Sequence, residues 1–321
     1  MNTDKPVPKK TFIRAPDCVP LTMAQKIRLA LKGGVLSPIY LLLAYYYHVP
    51  GLQLRGKCAR LGLRLLLTRK APLAYRTVYS FFFWPMDSVR HFEFDFMWRM
   101  LADTPIQHYL DVSSPRLFPT LLLRRHRTMS AEFLNPDAKD LAITTALIKS
   151  SGLSDRCHFH NCLIGEAPFA PESFDVITSI SVVEHIPQDT QAIQKMWTML
   201  KRGGRLLLSM PCAAEALEEY IDQNEYGLLE PDKNGFIFWQ RFYDPLLLQE
   251  RIFSITGQPN CQMVYGEKKA GAIINNTQHK RADPKYPLWR EPYMMGQEYG
   301  YFKSIADLPG QGVVAMEFIK R

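Results

Sequence analysis

From residue 107 onward, short apolar runs alternate with longer segments in which apolar positions recur at helical spacing. The apolar runs cover residues 107–112, 128–134, 157–164, 174–181, 204–210, 261–267 and 312–320. The helical segments cover residues 116–127, 137–151 and 187–201. Alternation of strands and helices is typical of a parallel sheet with helices on both faces. We therefore predict an α/β, Rossmann-like, doubly wound sheet of seven strands, in which five parallel strands precede a late pair.

The first hundred residues show a different pattern, with basic, leucine-rich helices. KIRLALK (26–32) and RGKCARLGLRLLLTRK (55–70) combine Lys or Arg with Leu and Ala at roughly helical spacing. Such helices cap a neighbouring domain with their apolar side or lie on an anionic membrane surface. We predict a largely helical appendage over residues 1–100 that caps an α/β domain over 101–321. Peripheral membrane contact stays open as the alternative.

One stretch of the appendage, residues 35–54, is nearly free of charge and raises the question of a transmembrane helix. Pro38 and Pro50 bracket only eleven residues. A span needs ~20 apolar residues, and proline interrupts a helix. The sequence therefore does not predict a single-pass membrane helix.

Charge is concentrated in the same N-terminal region. The 321 residues carry a formal net charge of +8. Residues 1–76 hold fourteen Lys or Arg and two acids, which gives about +12, whereas the remaining residues hold 25 positive and 29 negative charges. The excess of positive charge therefore belongs to the N-terminal region and not to the main domain. Nucleic-acid binding is not predicted, because the turn after the fourth strand also lacks a pattern that grips a flipped base.

The six cysteines form no C-x-x-C pair, so neither a disulfide framework nor a zinc ribbon is predicted. His158, His160 and Cys162 alternate as in any strand, and no metal site is expected from them. The opening residues 1–12 lack the apolar stretch of a secretory signal and are predicted to be a mobile leader. Together these features favour a cytoplasmic protein.

Three segments of the α/β region resemble one family. They are APFAPESFD (167–175), SFDVITSISVVEHIP (173–187) and AIQKMWTMLKRGGRLLLSMP (192–211). This combination resembles the class I S-adenosylmethionine-dependent methyltransferases of the small-molecule branch. The resemblance implies S-adenosylmethionine as cofactor and transfer of its methyl group to a small-molecule, glycosidic or lipid-linked acceptor with an oxygen or nitrogen nucleophile.

The binding site of such a sheet lies beyond the carboxyl ends of its strands, here near residues 111–115, 134–137, 161–163 and 179–185. The family's first loop carries Asp-x-Gly-x-Gly-x-Gly, but this chain has DVSSPRLFP at 111–119, without glycine. Small Ser side chains still allow close approach of a ligand, whereas proline stiffens the turn. The residues expected to bind the cofactor through this loop are Asp111, Ser113, Ser114 and Pro115. A loop-capping role is the alternative for Asp111.

The family's ribose-binding acid is absent from its usual place. The resemblance puts that place near Phe133 or Leu134, and Glu132 and Asn135 are the expected substitutes. Asn161 and Cys162 are expected near the adenine amino group, since an Asn side chain can accept a hydrogen bond from it. Ser179 completes the predicted cofactor set.

Glu184 and His185 follow the fourth strand, next to the expected position of the methyl group. A His side chain suits a general base for an oxygen or nitrogen nucleophile. The alternative is that His185 packs over the adenine or caps the next helix.

The acceptor pocket is predicted to draw on two later segments. Trp239, Arg241 and Tyr243 occupy alternate positions of an aromatic segment, and we predict that they line the acceptor pocket. Ordinary core packing of this segment is an equal alternative. Residues 268–311 are too long for an ordinary connection and are predicted to be a substrate lid containing Trp289, Tyr293 and Tyr299. Because the first loop lacks glycine, a protein of this fold that has lost methyl transfer and acts as a cyclase, isomerase or ligand-binding partner remains the alternative function. The sequence predicts no oligomeric state.

Overall fold

A computed structural model describes residues 8–14, 20–68, 75–86, 88–224 and 227–321. Its strands are β1 Lys9–Ile13, β2 His108–Val112, β3 Ser130–Leu134, β4 Cys157–His160, β5 Phe174–Ile180, β6 Leu200–Ala213, β7 Leu217–Ile221, β8 Ile237–Phe242, β9 Cys261–Glu267, β10 Tyr299–Phe302 and β11 Gln311–Ile319. Its helices are α1 Met23–Tyr46, α2 Leu52–Thr68, α3 Tyr75–Phe83, α4 Arg90–Leu101, α5 Leu117–Arg125, α6 Ala138–Ser150, α7 Asp189–Met199, α8 Pro245–Leu248, α9 Ser254–Thr256, α10 Ala272–Ala282 and α11 Glu291–Glu298.

The predicted doubly wound sheet is confirmed, but it has eight strands in the described part of the chain rather than seven. Their order is β10-β9-β11-β6-β5-β2-β3-β4. Strands β2 to β6 pair in parallel, whereas β11 runs antiparallel to both β6 and β9. The additional strand is β10, an edge strand within the predicted lid that pairs antiparallel with β9. The sequence of β10, YGYF, shows no alternation of apolar and polar positions, so no strand is predicted there.

A second, small sheet has the order β1-β7-β8. Residues 1–7 of the predicted mobile leader lie outside the described residues, but Lys9–Ile13 forms a strand that pairs in parallel with β7. Phe12 stacks on Tyr220 of β7 with ring centroids 5.4 Å apart. This strand therefore ties the N-terminal region to the edge of the domain.

Helix α1 continues through Pro38, where the sequence predicts a break. Thr22 begins the helix with a capping box, in which its side chain accepts from the Gln25 backbone N–H. The proline removes one internal hydrogen bond, and packing of Gly33, Ser37 and Ala44 against the rest of the chain holds the helix together. Among the described residues, α1 is the one helix long and apolar enough to cross a membrane by length and composition, with a mean hydropathy of 1.5 over its most apolar window.

Helix α4 packs into the core of the α/β domain. Phe92, Phe94 and Phe96 are fully buried, in one cluster with Tyr109 of β2 and Phe118 of α5. Position 94 points to the opposite side of the helix from positions 92 and 96, and all three are buried because the helix is surrounded by apolar neighbours. The division into an appendage over 1–100 and a domain from 101 stays a prediction, although α4 shares the core of the sheet.

Candidate functional site

Two cavities open at the carboxyl ends of the parallel strands. The first, the cofactor-side cavity, has a volume of about 450 Å³. Its walls are mainly apolar and include Leu134, Ile164, Val182 and Ile186, and its polar lining includes Ser113, Asn135, Asp137, Asp140 and Gln191. This is the place that the strand order predicts for a ligand.

The second, the acceptor-side cavity, has a volume of about 520 Å³. Its lining includes Arg90, Glu184, Ile273, Lys280, Arg281, Glu291, Met294, Met295 and Tyr299. Ser181, His185 and Trp239 line both cavities. Two ligands bound side by side would therefore meet at these three residues.

The glycine-free first loop keeps a backbone conformation that glycine favours. Ser113 has φ of 52°, in the left-handed region. Its backbone N–H and its hydroxyl both donate to the Leu134 carbonyl, at 2.9 and 3.1 Å. Ser113 is thus held in place by the end of β3 and contributes to the cofactor-side cavity.

Asp111 stabilises this loop through hydrogen bonds to its carboxylate. Its carboxylate accepts hydrogen bonds from the Tyr109 hydroxyl at 3.1 Å, the Thr178 hydroxyl at 3.2 Å and the Ser114 backbone N–H at 3.2 Å. Burial raises the pKa of Asp111 to about 7. These contacts match the loop-capping alternative, and the cofactor-binding role stays a prediction.

Ser114 and Pro115 face into the loop. The Ser114 hydroxyl accepts from the Ile180 backbone N–H at 3.2 Å, and the Pro115 carbonyl accepts from the Phe118 N–H at 3.0 Å at the start of α5. Neither residue lines either cavity, so the geometry gives them a role in shaping the loop.

A substitution at Ser113 tests this loop. We expect Ser113→Gly to keep or improve affinity for S-adenosylmethionine, because glycine adopts a positive φ without strain. Ser113→Val should weaken that affinity more than about tenfold, since a β-branched residue is a strong outlier in the left-handed region, at a cost of ~1–3 kcal/mol. Calorimetric titration with the cofactor measures both. Equal affinities of the two variants would contradict the role assigned to φ at this position.

The predicted ribose-binding acid, Glu132, lies elsewhere. Its carboxylate oxygens contact His158 Nδ1 at 3.1 Å and His160 Nε2 at 2.6 Å across the β3–β4 pair, and it does not line the cavity. Asn135 does line it, and its amide donates to Asp140 at 3.0 Å. Asp140 was missed by the sequence analysis, although an acid in the first turn after the Asp137 cap is a recognisable signal of a helix start.

The other predicted cofactor residues lie outside both cavities. The Asn161 amide donates to the carbonyls of Asn135 and Pro136, each at 2.9 Å, so it braces the loop that carries Asn135. Cys162 is half-buried, and Ser179 is fully buried within β5. Their proposed contacts to adenine and cofactor have no support in this geometry.

His185 lies at the junction of the cavities in a fixed tautomer. Its Nδ1 is 2.5 Å from the Trp239 carbonyl, which can only accept, so Nδ1 carries the proton and Nε2 keeps a lone pair. Burial lowers the pKa of His185 to about 4 and raises that of Glu184 to about 8. Glu184 Oε1 is 3.9 Å from His185 Nε2. Both shifts favour the uncharged form of the side chain, because burial removes water from each group.

Glu93 of α4 is a further site residue that the sequence analysis missed. It is fully buried, accepts from the Ser209 hydroxyl at 2.8 Å and from the Ser181 hydroxyl, and pairs with Arg90 at 2.7 Å. It thus holds one of the three residues shared by the cavities. The available signal was an acid within an otherwise buried aromatic helix, where a charge needs a partner.

Of the predicted acceptor residues in the aromatic segment, only Trp239 lines a cavity. Arg241 and Tyr243 instead bind the buried Asp189, at 2.5 and 2.6 Å. The cause is a β-bulge: Gln240 and Phe238 pair with consecutive residues of β7, which leaves Trp239 without a partner. A bulge interrupts the alternation of side chains, so the expectation of a shared face was wrong.

Of the three aromatic residues predicted in the lid, Tyr299 lines the acceptor-side cavity, whereas Trp289 and Tyr293 do not. Trp289 packs on Gly33 of α1, and Tyr293 contacts Tyr40 and Tyr47 with ring centroids 5.6 and 5.8 Å apart. Neither lines the cavity, so their assignment to the acceptor pocket was wrong. The lid residues at the cavity are Glu291, Met294, Met295 and Tyr299, from the opposite side of the same segment. Within the described ranges, no group of His, Cys, Asp or Glu has the arrangement of a metal site.

Comparisons with known proteins agree with this geometry. Residues 109–251 match a family model described as a methyltransferase domain. The chain is 30% identical over 100 residues to methyltransferase GfsG of Streptomyces halstedii, which is 31% of this chain and 36% of that protein. It is also 30% identical over 83 residues to the ubiquinone/menaquinone biosynthesis C-methyltransferase UbiE of Rhizobium rhizogenes, which is 26% of this chain and 32% of that protein.

These curated relatives are thus matched over about a third of their length. Among solved structures, the MccD protein superimposes with a TM-score of 0.51 at 10% identity, over 74% of this chain and all of that one. This similarity concerns the fold alone. Residues 109–251 therefore match a methyltransferase domain, and the strand order and the position of the cavities agree with that match.

Proposed function

We propose that the protein transfers the methyl group of S-adenosylmethionine to a small-molecule acceptor with an oxygen or nitrogen nucleophile. The observation that carries this proposal is the junction of the two cavities at Ser181, His185 and Trp239. A bisubstrate reaction needs two sites that share one short boundary, because donor and acceptor atoms must approach in line.

The cofactor-side cavity fits S-adenosylmethionine. Its volume of about 450 Å³ is within the usual range for small-molecule sites. Leu134, Ile164 and Val182 supply apolar walls for a purine ring, and Asn135 with Asp140 supplies polar atoms for hydroxyl groups. The left-handed backbone at Ser113 allows the close approach that the family obtains with glycine. When bound, the cofactor supplies an electrophilic methyl group on a sulfonium.

His185 is the residue that we assign to proton removal. The Trp239 carbonyl fixes the proton on Nδ1, so Nε2 is the basic atom. As the acceptor oxygen or nitrogen forms its bond to the methyl carbon, its own bond to hydrogen breaks and the proton passes to Nε2. Nε2 would then hold this proton, while the bound cofactor would supply the methyl group and leave as its neutral thioether.

The acceptor-side cavity combines apolar and cationic groups. Ile273, Met294 and Met295 provide apolar surface, and the Arg281 guanidinium lies over the Trp239 ring at 4.2 Å. Lys280 is paired with Glu291 at 3.1 Å. We infer a small acceptor with an apolar body and polar substituents, matched to these walls.

The alternative function, a fold that has lost methyl transfer, depends on the missing glycines. Ser113 weakens that argument, since its backbone adopts the left-handed conformation that glycine favours. Calorimetric titration with S-adenosylmethionine and its demethylated product decides between the two functions. We expect both to bind with one site per chain and the product at least as tightly.

The matched variants for this titration are two Asn→Ala substitutions. Asn135→Ala, in the cofactor-side cavity, should lower affinity by about fivefold, the value of one hydrogen bond. Asn275→Ala, on the exposed side of α10, should leave affinity unchanged. Radiolabelled methyl transfer to an acceptor pool then tests the reaction. Absence of cofactor binding to the wild-type protein at high micromolar ligand would refute the proposed function.

A further inference from the structure

One face of α1 is apolar and exposed along the whole helix. Ile27 is 54% exposed, Leu31 68%, Val35 71% and Leu42 73%. These residues are spaced by four, four and seven positions, which places them on one side of a helix. Monomeric soluble proteins rarely leave a continuous apolar surface of this kind exposed. The face therefore indicates a contact beyond those that the described part of the chain makes.

The charges around this face are of one sign. Arg28 and Lys32 lie on its border, and α1 contains no Asp or Glu. The helix also belongs to the N-terminal quarter of the chain, which carries about +12. Charge complementarity therefore points to an anionic surface. A second copy of the same face would bring together two surfaces whose charges are all positive, which disfavours self-association.

The opposite face of α1 is fixed to the protein. Gly33 packs so closely on Trp289 that a Cβ atom would lie 2.8 Å from its ring, and Ser37 and Ala44 are buried. Tyr47 contacts α11 in the same way, because a Cβ atom at Gly296 would lie 2.4 Å from the Tyr47 Cβ. A helix packed along its length on its own domain can lie on a bilayer but cannot cross it without leaving these contacts.

We propose that the exposed face of α1 is a docking surface for an anionic phospholipid bilayer. The helix of 24 residues is about 36 Å long and lies in the interface, with Ile27, Leu31, Val35 and Leu42 among the acyl chains. Arg28 and Lys32 contact the anionic headgroups. Tyr45 and Tyr46, both more than 70% exposed near the carboxyl end, suit the headgroup region.

Helix α1 contacts α11, and α11 also lines the acceptor-side cavity. Tyr293 of α11 packs on Tyr40 of α1, and Gly296 packs on Tyr47 just after it, whereas Met294 and Met295 of the same helix line the cavity. The helix that meets the bilayer therefore braces one wall of this cavity. The proposal itself does not depend on methyl transfer, and its test needs no cofactor.

The test is co-sedimentation of the full chain with vesicles of phosphatidylcholine, with and without phosphatidylserine. We expect binding to the phosphatidylserine vesicles that falls with added salt, and at least about tenfold weaker binding to the neutral ones. Leu31→Glu with Val35→Glu should lower binding more than about tenfold, since it removes apolar surface and adds negative charge. The matched control is Ile143→Glu with Leu246→Glu, two exposed apolar residues of the α/β domain, which should bind as the wild type does.

A second pair of variants tests the electrostatic part. Arg28→Glu with Lys32→Glu should weaken binding about tenfold and flatten its salt dependence, whereas Lys149→Glu with Lys303→Glu should not. All four altered pairs are on exposed positions, and unchanged thermal unfolding shows that each variant folds.

Three outcomes would overturn the proposal. The first is wild-type protein that stays in the supernatant at low salt. The second is binding that does not depend on phosphatidylserine, or that is unchanged in the α1 variants. The third is a lipid-free dimer, seen by sedimentation velocity, that dissociates on Leu31→Glu and does not bind vesicles, because it would show that a second copy covers the face. Protein on vesicles that resists alkaline carbonate extraction would show instead that α1 crosses the bilayer, which also contradicts surface docking.

Discussion

Replacement of His185 by glutamine should lower kcat for methyl transfer by about 10²–10⁴-fold. Glutamine can still donate a hydrogen bond to the Trp239 carbonyl, but it has no basic atom in place of Nε2. Affinity for S-adenosylmethionine should change little, since the substitution alters proton transfer rather than the walls of the cofactor-side cavity. The measurement is steady-state kinetics with the acceptor found by radiolabelling, together with calorimetric titration of the cofactor.

The pH dependence of the wild-type enzyme carries a second signature of His185. Burial lowers the pKa of His185 to about 4, so the side chain is the free base above that pH. As the pH falls from about 7 to about 5, kcat/KM should stay nearly level, whereas a base with the ordinary His pKa of ~6.5 would lose most of its activity. The pKa is lowered because burial removes water from the ring, which disfavours the charged imidazolium.

His158 gives the matched control, since it is an exposed histidine of β4 paired with Glu132 and remote from both cavities. His158→Gln should keep the wild-type kcat. If His185→Gln also kept it, proton removal by His185 would be ruled out, and in-line positioning of donor and acceptor would suffice for the reaction.

The architecture was predictable because hydrophobic periodicity reports burial directly. Alternating apolar runs and helical segments indicated seven of the strands, β2 to β6, β9 and β11, and the doubly wound order placed a cavity at the carboxyl ends of the parallel strands. The small sheet of β1, β7 and β8 and the edge strand β10 were not predicted. Strand β10, YGYF, shows no alternation of apolar and polar positions. Helix α1 passes through Pro38 because tertiary contacts at Gly33 and Ala44 outweigh one missing hydrogen bond.

The side chains of the site were harder to predict, because sequence gives the loop but not the direction of each residue within it. Glu132 and Asn135 are three residues apart, yet one pairs with β4 while the other faces the cavity. At Trp239, a bulge in β8 separates it from Arg241, which alternation would place on the same side. Such departures depend on pairing partners that are distant in sequence.

Asp189 illustrates a contact that no local pattern reveals. It is fully buried at the start of α7, and its carboxylate binds Arg241 at 2.5 Å, Tyr243 at 2.6 Å and Arg251 at 2.8 Å. These partners come from β8 and the helical segment after it, about fifty to sixty residues later in the chain. The carboxylate therefore joins the turn beside the cavities to the segment that carries Trp239.

Asp189→Asn should lower the free energy of unfolding by about 3 kcal/mol, the low end of the range for breaking a buried ion pair. The reason is that Arg241 stays buried after the change, with Glu218 at 3.0 Å as its remaining carboxylate. Arg251 is more exposed and can turn to solvent. Urea unfolding at neutral pH measures the loss, with the cofactor absent so that ligand binding does not contribute.

The comparison variants separate a buried charge from a lost contact. Glu172→Gln removes the exposed pair with Arg202, whose atoms are 3.8 Å apart, and should change stability by less than about 1 kcal/mol. Arg241→Met added to Asp189→Asn should restore part of the lost stability, because no unbalanced guanidinium then remains buried. If the double variant is instead less stable than Asp189→Asn by the full effect of Arg241→Met alone, the two side chains act independently, and the buried charge does not explain the loss.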